Sequence, residues 1–350
     1  VLVDGRPVAS CLMPVQHVAG REVRTVEYHG PDNLHPVQRA FMANDALQCG
    51  FCTPGFINSA IAFYERWRVE HGRQRPGREE IALALAGNLC RCGAYSAIYG
   101  AVAQACAGEF EADVAVEAPR YEALDKVTGQ ARFTVDRRYD DQLEGVILRS
   151  KYTHARVVAI DASEALASPG VVAFSELLGG DRLVRFAGQA IGALAATDLR
   201  TARAALRRVK VTYDVYPAAV GPERARQADA PEVYSGFSLF RSPPNASEGT
   251  VLPGTWRRNV RRNLLNLTAK SAGKAGRAIK RAQREQDPAL LEFVTRNAVQ
   301  VHTALEPHAC LAEWQGRERL NVHLSTQMVH HGAHLIAEYF DLQTENVRVT

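Results

Sequence analysis

The sequence predicts an α+β multidomain protein in which a small helical domain comes first and units mixing strands with helices follow. Three observations carry this. At 350 residues the chain has room for two or three domains of ordinary size. Apolar residues recur at helical spacing through most of residues 35–108, whereas from about residue 120 alternating, strand-like runs are interleaved with short helices. Four of the seven cysteines fall in the helical part as two tight pairs, in "QCGFC" and "NLCRCG".

Taken in order, residues 1–30 read as strands, since "VLVDGRPVASCLMPV" alternates around a D-G turn and "GREVRTVEY" alternates again. The period changes at "HPVQRAFMANDALQ", a helix with Pro36 suited to its first turn. Pro54 opens a second helix in "PGFINSAIAFYERWRVE". A third lies in "PGREEIALALAGN", and a fourth in "AYSAIYGAVAQACAGEF" ends near Gly108. The two cysteine pairs then sit in the loops of two helix–loop–helix units. Residues 109–119 read as a linker.

From about Arg120, "LEGVILRSKYTHARVVAIDASEALASPGVVAF" and "GQAIGALAATDLRTARAALRRVKVTYDVYP" read as strands with short helices, an α+β unit over 120–220. Residues 221–290 read as a loop-rich basic insertion, helix-permissive but weakly amphipathic toward its end. Regular structure resumes at "LLEFVTRNAVQVHTALEPHACLAEWQ" and continues as strand, helix, strand through 291–350.

Composition narrows the class. An apolar content of 46% is that of a globular protein. No run of about 18 apolar residues occurs, so no membrane span is expected. Seven cysteines without an even framework argue against a secreted disulfide scaffold. A reducing cytoplasm fits best, with export of a folded, cofactor-loaded protein as the alternative.

Net charge is +4, but residues 257–284 hold ten Lys/Arg and no Asp/Glu, leaving 32 basic against 38 acidic residues elsewhere. The basic character is therefore local. A solvated segment contacting a partner subunit is favoured there over nucleic acid or an anionic lipid surface, because aromatic interleaving and a clean apolar stripe are lacking.

The cysteine spacing is C-x2-C, then 37 residues, then C-x-C. Thiolates are soft ligands, and four converging suit zinc or an iron–sulfur cluster. Structural zinc usually takes C-x2–4-C on both sides. A C-x-C half brings two sulfurs from neighbouring residues to the site, which suits one iron of a two-iron centre. Gly50 and Gly93 free the backbone to approach and donate N–H groups to sulfur. The chemistry favours [2Fe–2S] and leaves zinc open.

The wording "LHPVQRAF…QCGFCTPGF" followed by "GNLCRCGAYSAI" closely resembles the helical [2Fe–2S] domain of the molybdenum hydroxylases, the xanthine dehydrogenase and aldehyde oxidase family. That resemblance implies that Cys49, Cys52, Cys90 and Cys92 hold the cluster nearer the molybdenum, with Gly50 beside them, and that Gln48 contacts the pterin of the molybdenum cofactor. The family commonly reads C-R-C-T-G-Y where this chain has "CRCGAY", which touches the local turn and not the ligands.

"VLVDGRPVASCL" resembles the last hairpin of the family's plant-type ferredoxin domain, so residues 1–30 are its C-terminal remnant and Cys11 the fourth ligand of a partial second site. Its three partners would lie upstream. Residues 120–220 resemble the α/β hammerhead domain, and "VHTALEPHACLAEWQGRERLNVHLSTQMV" resembles the start of the molybdopterin-binding domain. There Gln327 aligns with a glutamine beside the oxo ligand of the metal.

The expected architecture is thus a small four-helix [2Fe–2S]-binding domain over 31–108, a hammerhead domain and a partial molybdopterin-binding domain. The expected function is part of a molybdenum-dependent oxidoreductase. It would hydroxylate an aldehyde or N-heterocycle with water and pass electrons through [2Fe–2S] clusters to a separate acceptor. The family's catalytic glutamate lies downstream, so no residue here is expected to be catalytic and this chain alone is expected to be inactive. No FAD site is expected; a separate FAD or cytochrome subunit, a small-molecule substrate and an oligomeric state are.

The competing class is a non-catalytic electron-transfer or zinc-stabilised module. His330, His331 and His334 read as a solvated helix face, and Glu306 and His308 of "LEPHA" as lining near the cofactor, neither as catalytic.

Overall fold

The structure, a computed structural model, describes residues 1–111, 119–233, 236–238, 254–257, 259–263, 269–298 and 300–350. It divides into two units, residues 1–138 with 297–350, and residues 139–296.

The first unit opens with a small antiparallel sheet, β1 Leu2–Val3 between β2 Arg6–Pro7 and β3 Val23–Arg24. Strand content is less than the alternation suggests. Proline at 7 and 14 withdraws the N–H that would continue a ladder, and short 3-10 turns at Ser10–Leu12 and Val15–Val18 take over. Four helices follow: α1 Pro36–Ala43, α2 Thr53–His71, α3 Arg78–Ala84 and α4 Tyr95–Cys106, then a short α5 Ala123–Val127.

Their ends are set by residue chemistry. At the start of α1 the His35 ring nitrogen accepts the Val37 N–H at 3.1 Å while Gln38 accepts the His35 N–H at 2.8 Å, a reciprocal cap that satisfies two donors lacking helical partners. Helix α2 stops at Gly72, whose φ of +60° suits glycine, with Arg68 and His71 in the last turn against the helix dipole.

The buried face of α4 is Ile98, Ala101, Val102, Ala105 and Cys106, the i, i+3, i+4, i+7, i+8 pattern of an amphipathic helix. It meets Phe41 of α1 and Phe56, Ile57 and Ile61 of α2 in one continuous core. Each fully buried Phe or Ile there contributes about 1.5–3 kcal/mol of transfer free energy. Gln38 is also fully buried, and its amide donates to the carbonyls of His29 at 3.1 Å and Val127 at 2.9 Å, tying the N-terminal segment and α5 to the bundle.

The second unit holds two interleaved antiparallel sheets. Its elements are β4 Glu144–Arg149, β5 Ala155–Asp161, α6 Ser163–Leu166, β6 Val171–Glu176, β7 Leu183–Val184, β8 Ala190–Ala196, α7 Leu199–Leu206 and β9 Lys210–Val215. Strand order is β4-β8-β6 in one sheet and β7-β5-β9 in the other. In central β8 the Phe174 ring lies against Gly192, where a Cβ would come within 2.6 Å of it. Asp198 caps α7 by accepting the Thr201 N–H at 2.9 Å.

Beyond α8 Pro222–Ala225, a meander of β10 Gly236–Ser238, β11 Gly254–Arg257 and β12 Val260–Asn263 leads to α9 Ala269–Glu285. This corrects the weakly amphipathic reading of the basic segment. In α9 the bases 274, 277, 281 and 284 share one helical stripe, and Ala275, Ile279 and Ala282 share another. The expected linker falls largely on 112–118 and much of the expected loop on 239–253, outside the described residues.

The chain then returns to the first unit. Residues 300–309 carry no strand, so regular structure resumes only at β13 Cys310–Gln315. β13 pairs antiparallel with β14 Arg319–Leu324, and α10 Val329–Phe340 carries the chain over to β15 Val347–Val349, parallel to β14.

Candidate metal centre

Two loops make the centre, the bend before α2 and the bend before α4. Cys49 and Cys52 come from the first, and Cys90 and Cys92 from the second. Cys90 is buried and the other three are half-buried. Cys92 acts on the Cys49 thiol and Cys90 on the Cys52 thiol, so the two loops face one another through their cysteines.

The backbone supports this. Gly50 and Gly93 have φ of +85° and +80°, a region that costs other L-residues energy, so each turn is built around its glycine. The Phe51 peptide N–H favours the thiolate form of Cys49. The Cys90 N–H is taken by the Tyr95 hydroxyl at 2.9 Å, which anchors the second loop to the head of α4.

Burial governs the electrostatics. It pushes the Cys52 thiol up to about 12, with Cys90 adding to the rise. It also raises the Cys49 thiol, against the Phe51 N–H, and Cys92 and the Glu306 carboxylate add to the rise. Thiols such as Cys49 and Cys52, whose neutral form burial favours, are suited to a soft cation that would deprotonate them. Two pairs of sulfurs fit a two-iron cluster, in which each iron takes two thiolates. Among the described residues, no three or more His, Cys, Asp or Glu side chains are gathered as a group that could hold a metal ion.

The other sequence-selected residues are distributed as follows. Gln48 directly precedes Cys49 and is exposed. Gln327 is exposed in the turn after β14, and Cys11 is exposed in the 3-10 turn 10–12, outside the paired thiols. His330 and His334 are exposed on α10.

Three residues that the sequence did not single out belong to the site. Arg91, between two of the cysteines, clasps the carbonyls of Val301 and His302 with its guanidinium, bringing the 301–306 segment against the second loop. Arg120 donates to the Leu47 carbonyl at 3.4 Å, and Lys126 donates to the Gln48 carbonyl at 2.7 Å. No local spacing marks these contacts, since they span 73 to 211 residues of chain.

Fold and site together define a protein with an iron–sulfur-binding helical domain joined to a hammerhead and a molybdopterin-binding region. Family models for each part match in that order. The [2Fe-2S] binding domain matches residues 25–103, the aldehyde oxidase and xanthine dehydrogenase a/b hammerhead domain 128–179, and the molybdopterin cofactor-binding domain 259–350.

Among curated proteins, the aldehyde oxidoreductase of Megalodesulfovibrio gigas is 30% identical over 300 residues, covering 71% of this chain and 32% of its own length. The nicotine 6-hydroxylase small subunit of Paenarthrobacter nicotinovorans is 45% identical over 105 residues, covering 30% of this chain and 60% of its own. The iron-sulfur-binding subunit PaoA of the Escherichia coli aldehyde oxidoreductase is 40% identical over 124 residues, covering 32% and 52%. The chain thus spans between a third and three fifths of these relatives.

Among solved structures, aldehyde oxidoreductases from Desulfovibrio gigas and Desulfovibrio desulfuricans superpose with TM-scores of 0.70 and 0.68. Their identities are 24% and 26%, and each match covers 99% of this chain and 40% of the other. The chain belongs to the molybdenum hydroxylase family, that of xanthine dehydrogenase and aldehyde oxidase.

Proposed function

We propose that this chain is the electron-relay part of a molybdenum hydroxylase that uses water to hydroxylate an aldehyde or N-heterocycle. Cys49, Cys52, Cys90 and Cys92 would hold one [2Fe–2S] cluster. Gln48 faces the pterin, Gln327 lies beside the molybdenum, and Cys11 serves a second cluster on the exit side. When bound, the clusters supply one-electron carriers and the molybdenum cofactor supplies the two-electron chemistry.

The protein's own residues orient and shield. Gly50 and Gly93 make the turns of the two loops that carry the four sulfurs. The Phe51 N–H stabilises thiolate at Cys49. Arg91 fixes the 301–302 backbone against the cysteine loop, which keeps a cofactor wall and the relay in register. The acceptor is a separate FAD or cytochrome subunit, within an oligomer. The compartment is the cytoplasm. Among the described residues no helix is long and apolar enough to cross a membrane.

The observation that carries the reading is the placement of four free thiols on two loops, each turned at a glycine of positive φ. Anaerobic reconstitution of the chain with iron and sulfide tests it. We expect visible charge-transfer bands and, after dithionite, a rhombic EPR signal with two irons per quartet. A colourless protein holding stoichiometric zinc overturns it.

A further inference from the structure

We propose that Lys126 is a positioning and potential-setting residue for the cluster, fixing the peptide before Cys49 and holding a positive charge over its loop. The proposal rests on the quartet being a [2Fe–2S] site.

Lys126 lies on α5, far from the cysteines in sequence, yet its side chain is only 11% exposed because its stem crosses the cysteine loop. The position of Gly50 shows how closely. A Cβ there would come within 2.5 Å of Lys126 Cδ and 2.7 Å of Cγ, so the turn tolerates neither another φ nor another atom. At the end of the stem, Nζ donates to the Gln48 carbonyl at 2.7 Å and to Glu122 at 3.0 Å.

A trans peptide holds its carbonyl and N–H in one plane, pointing in opposite directions. Fixing the Gln48 carbonyl therefore fixes the direction of the Cys49 N–H. The neighbouring carbonyl, of Leu47, is held by Arg120 at 3.4 Å, and Arg120 also pairs with Glu122 at 3.2 Å. Lys126 and Arg120 thus face the loop as cations, with the carboxylates of Glu122 and, 3.6 Å from Arg120, Asp45 beside them. Both pivots of this arm are anchored, since Ala123 and Val127 of α5 are buried and Gln38 holds the Val127 carbonyl.

The consequence is electrostatic. Reducing a cluster by one electron adds one negative charge to it and no atoms. A partly buried ammonium nearby stabilises the reduced form and so raises the potential. The carboxylate of Glu122 opposes this. Removing each should therefore shift the potential in opposite directions, which a purely structural role would not produce.

The test is a dithionite-driven EPR redox titration of the reconstituted full chain, with iron and sulfide assayed in parallel. Lys126→Met keeps a stem over Gly50 and removes the charge. We expect full iron content and a reduction equilibrium about tenfold less favourable, which is about 59 mV for one electron. Lys126→Arg should restore the wild-type potential, and Glu122→Gln should raise it.

Equal potentials in wild type and a fully loaded Lys126→Met overturn the proposal. So does an equal fall in Lys126→Met and Lys126→Arg, which would be a packing effect. Should Lys126→Met not hold iron, Glu122→Gln decides: a rise supports the assignment and an unchanged value overturns it. A wild-type chain that takes up no cluster instead defeats the reading on which the proposal rests.

Discussion

The helical domain of the first unit and helix α9 of the second are both built mainly from good helix formers, yet they represent opposite regimes. Helices α1, α2 and α4 bury a continuous apolar face, and Phe41, Phe56, Ile57, Ala60, Ala101 and Val102 have no exposed surface. Helix α9 buries almost nothing: Ile279 is 47% exposed and the charged residues described on it are all exposed. The first set of helices is held by packing, whereas α9 rests on propensity and side-chain pairs. Substitutions should therefore be costly in one place and nearly free, or even favourable, in the other.

The largest effect should come from the site that the packed helices serve. Cys90→Ser removes the most buried of the four sulfurs, and reconstituted protein should lose its visible bands and hold little iron. Normal spectra in that variant would exclude Cys90 as a ligand. Next comes the core beneath the loops. Phe56 is fully buried and sits edge-on to Tyr95 with ring centroids 6.0 Å apart. Phe56→Ala should destabilise the unit by about 3–5 kcal/mol, read as a drop in denaturation midpoint. A loss below about 1 kcal/mol would show that the core is looser than its packing implies.

A pH experiment probes the cap of α1. Burial holds the His35 imidazole down at about 3, with His29, Arg39 and Arg24 opposing its charge and the Tyr64 ring packed edge-on at 4.9 Å. Below its ordinary 6.5 the unfolded chain takes up a proton here that the folded chain refuses. This stability is therefore complete above pH 6.5 and is lost as pH falls toward 3. By pH 5 the loss should be about 2 kcal/mol. Asparagine caps helices without titrating, so His35→Asn should flatten the fall in stability between pH 7 and pH 5. Parallel curves for the two proteins would assign the acid sensitivity elsewhere.

What could be read from the sequence follows the same division. The bundle helices were legible because each carries its own signal: an apolar period, a proline in the first turn of α1 and of α2, and a glycine after α2. The cysteine spacing likewise carried the donor set. Which cysteines face one another was not legible, because it depends on how two loops meet and not on the spacing within either. Lys126, Arg120 and Arg91 were missed for a related reason. A lysine donating to a carbonyl 78 residues away leaves no periodic trace. The single local hint was Gly50, and a glycine in a turn does not reveal what passes over it. The short strands at the N-terminus were over-read because alternation was weighed above the prolines that interrupt it.

Helix α9 provides the smallest and most discriminating prediction, since its sign is reversed. Lys274, Lys280 and Arg281 lie at i−3, i+3 and i+4 from Arg277, all exposed, so like charges face one another across the helix surface. Such pairs each cost a few tenths of a kcal/mol, and the reversed charge regains a similar amount, best with Glu four residues ahead of a base. Arg281 already makes an opposite-charge pair, in the less favourable order, with Glu285 at 2.9 Å. Arg277→Glu should therefore stabilise the helix by about 0.5 kcal/mol at low salt, read in the chain's denaturation midpoint. The gain should vanish near 1 M salt, where screening acts within about 3 Å. A clear destabilisation at low salt would mean that the basic stripe is held by contacts within the chain, and α9 would then belong with the packed helices and not apart from them.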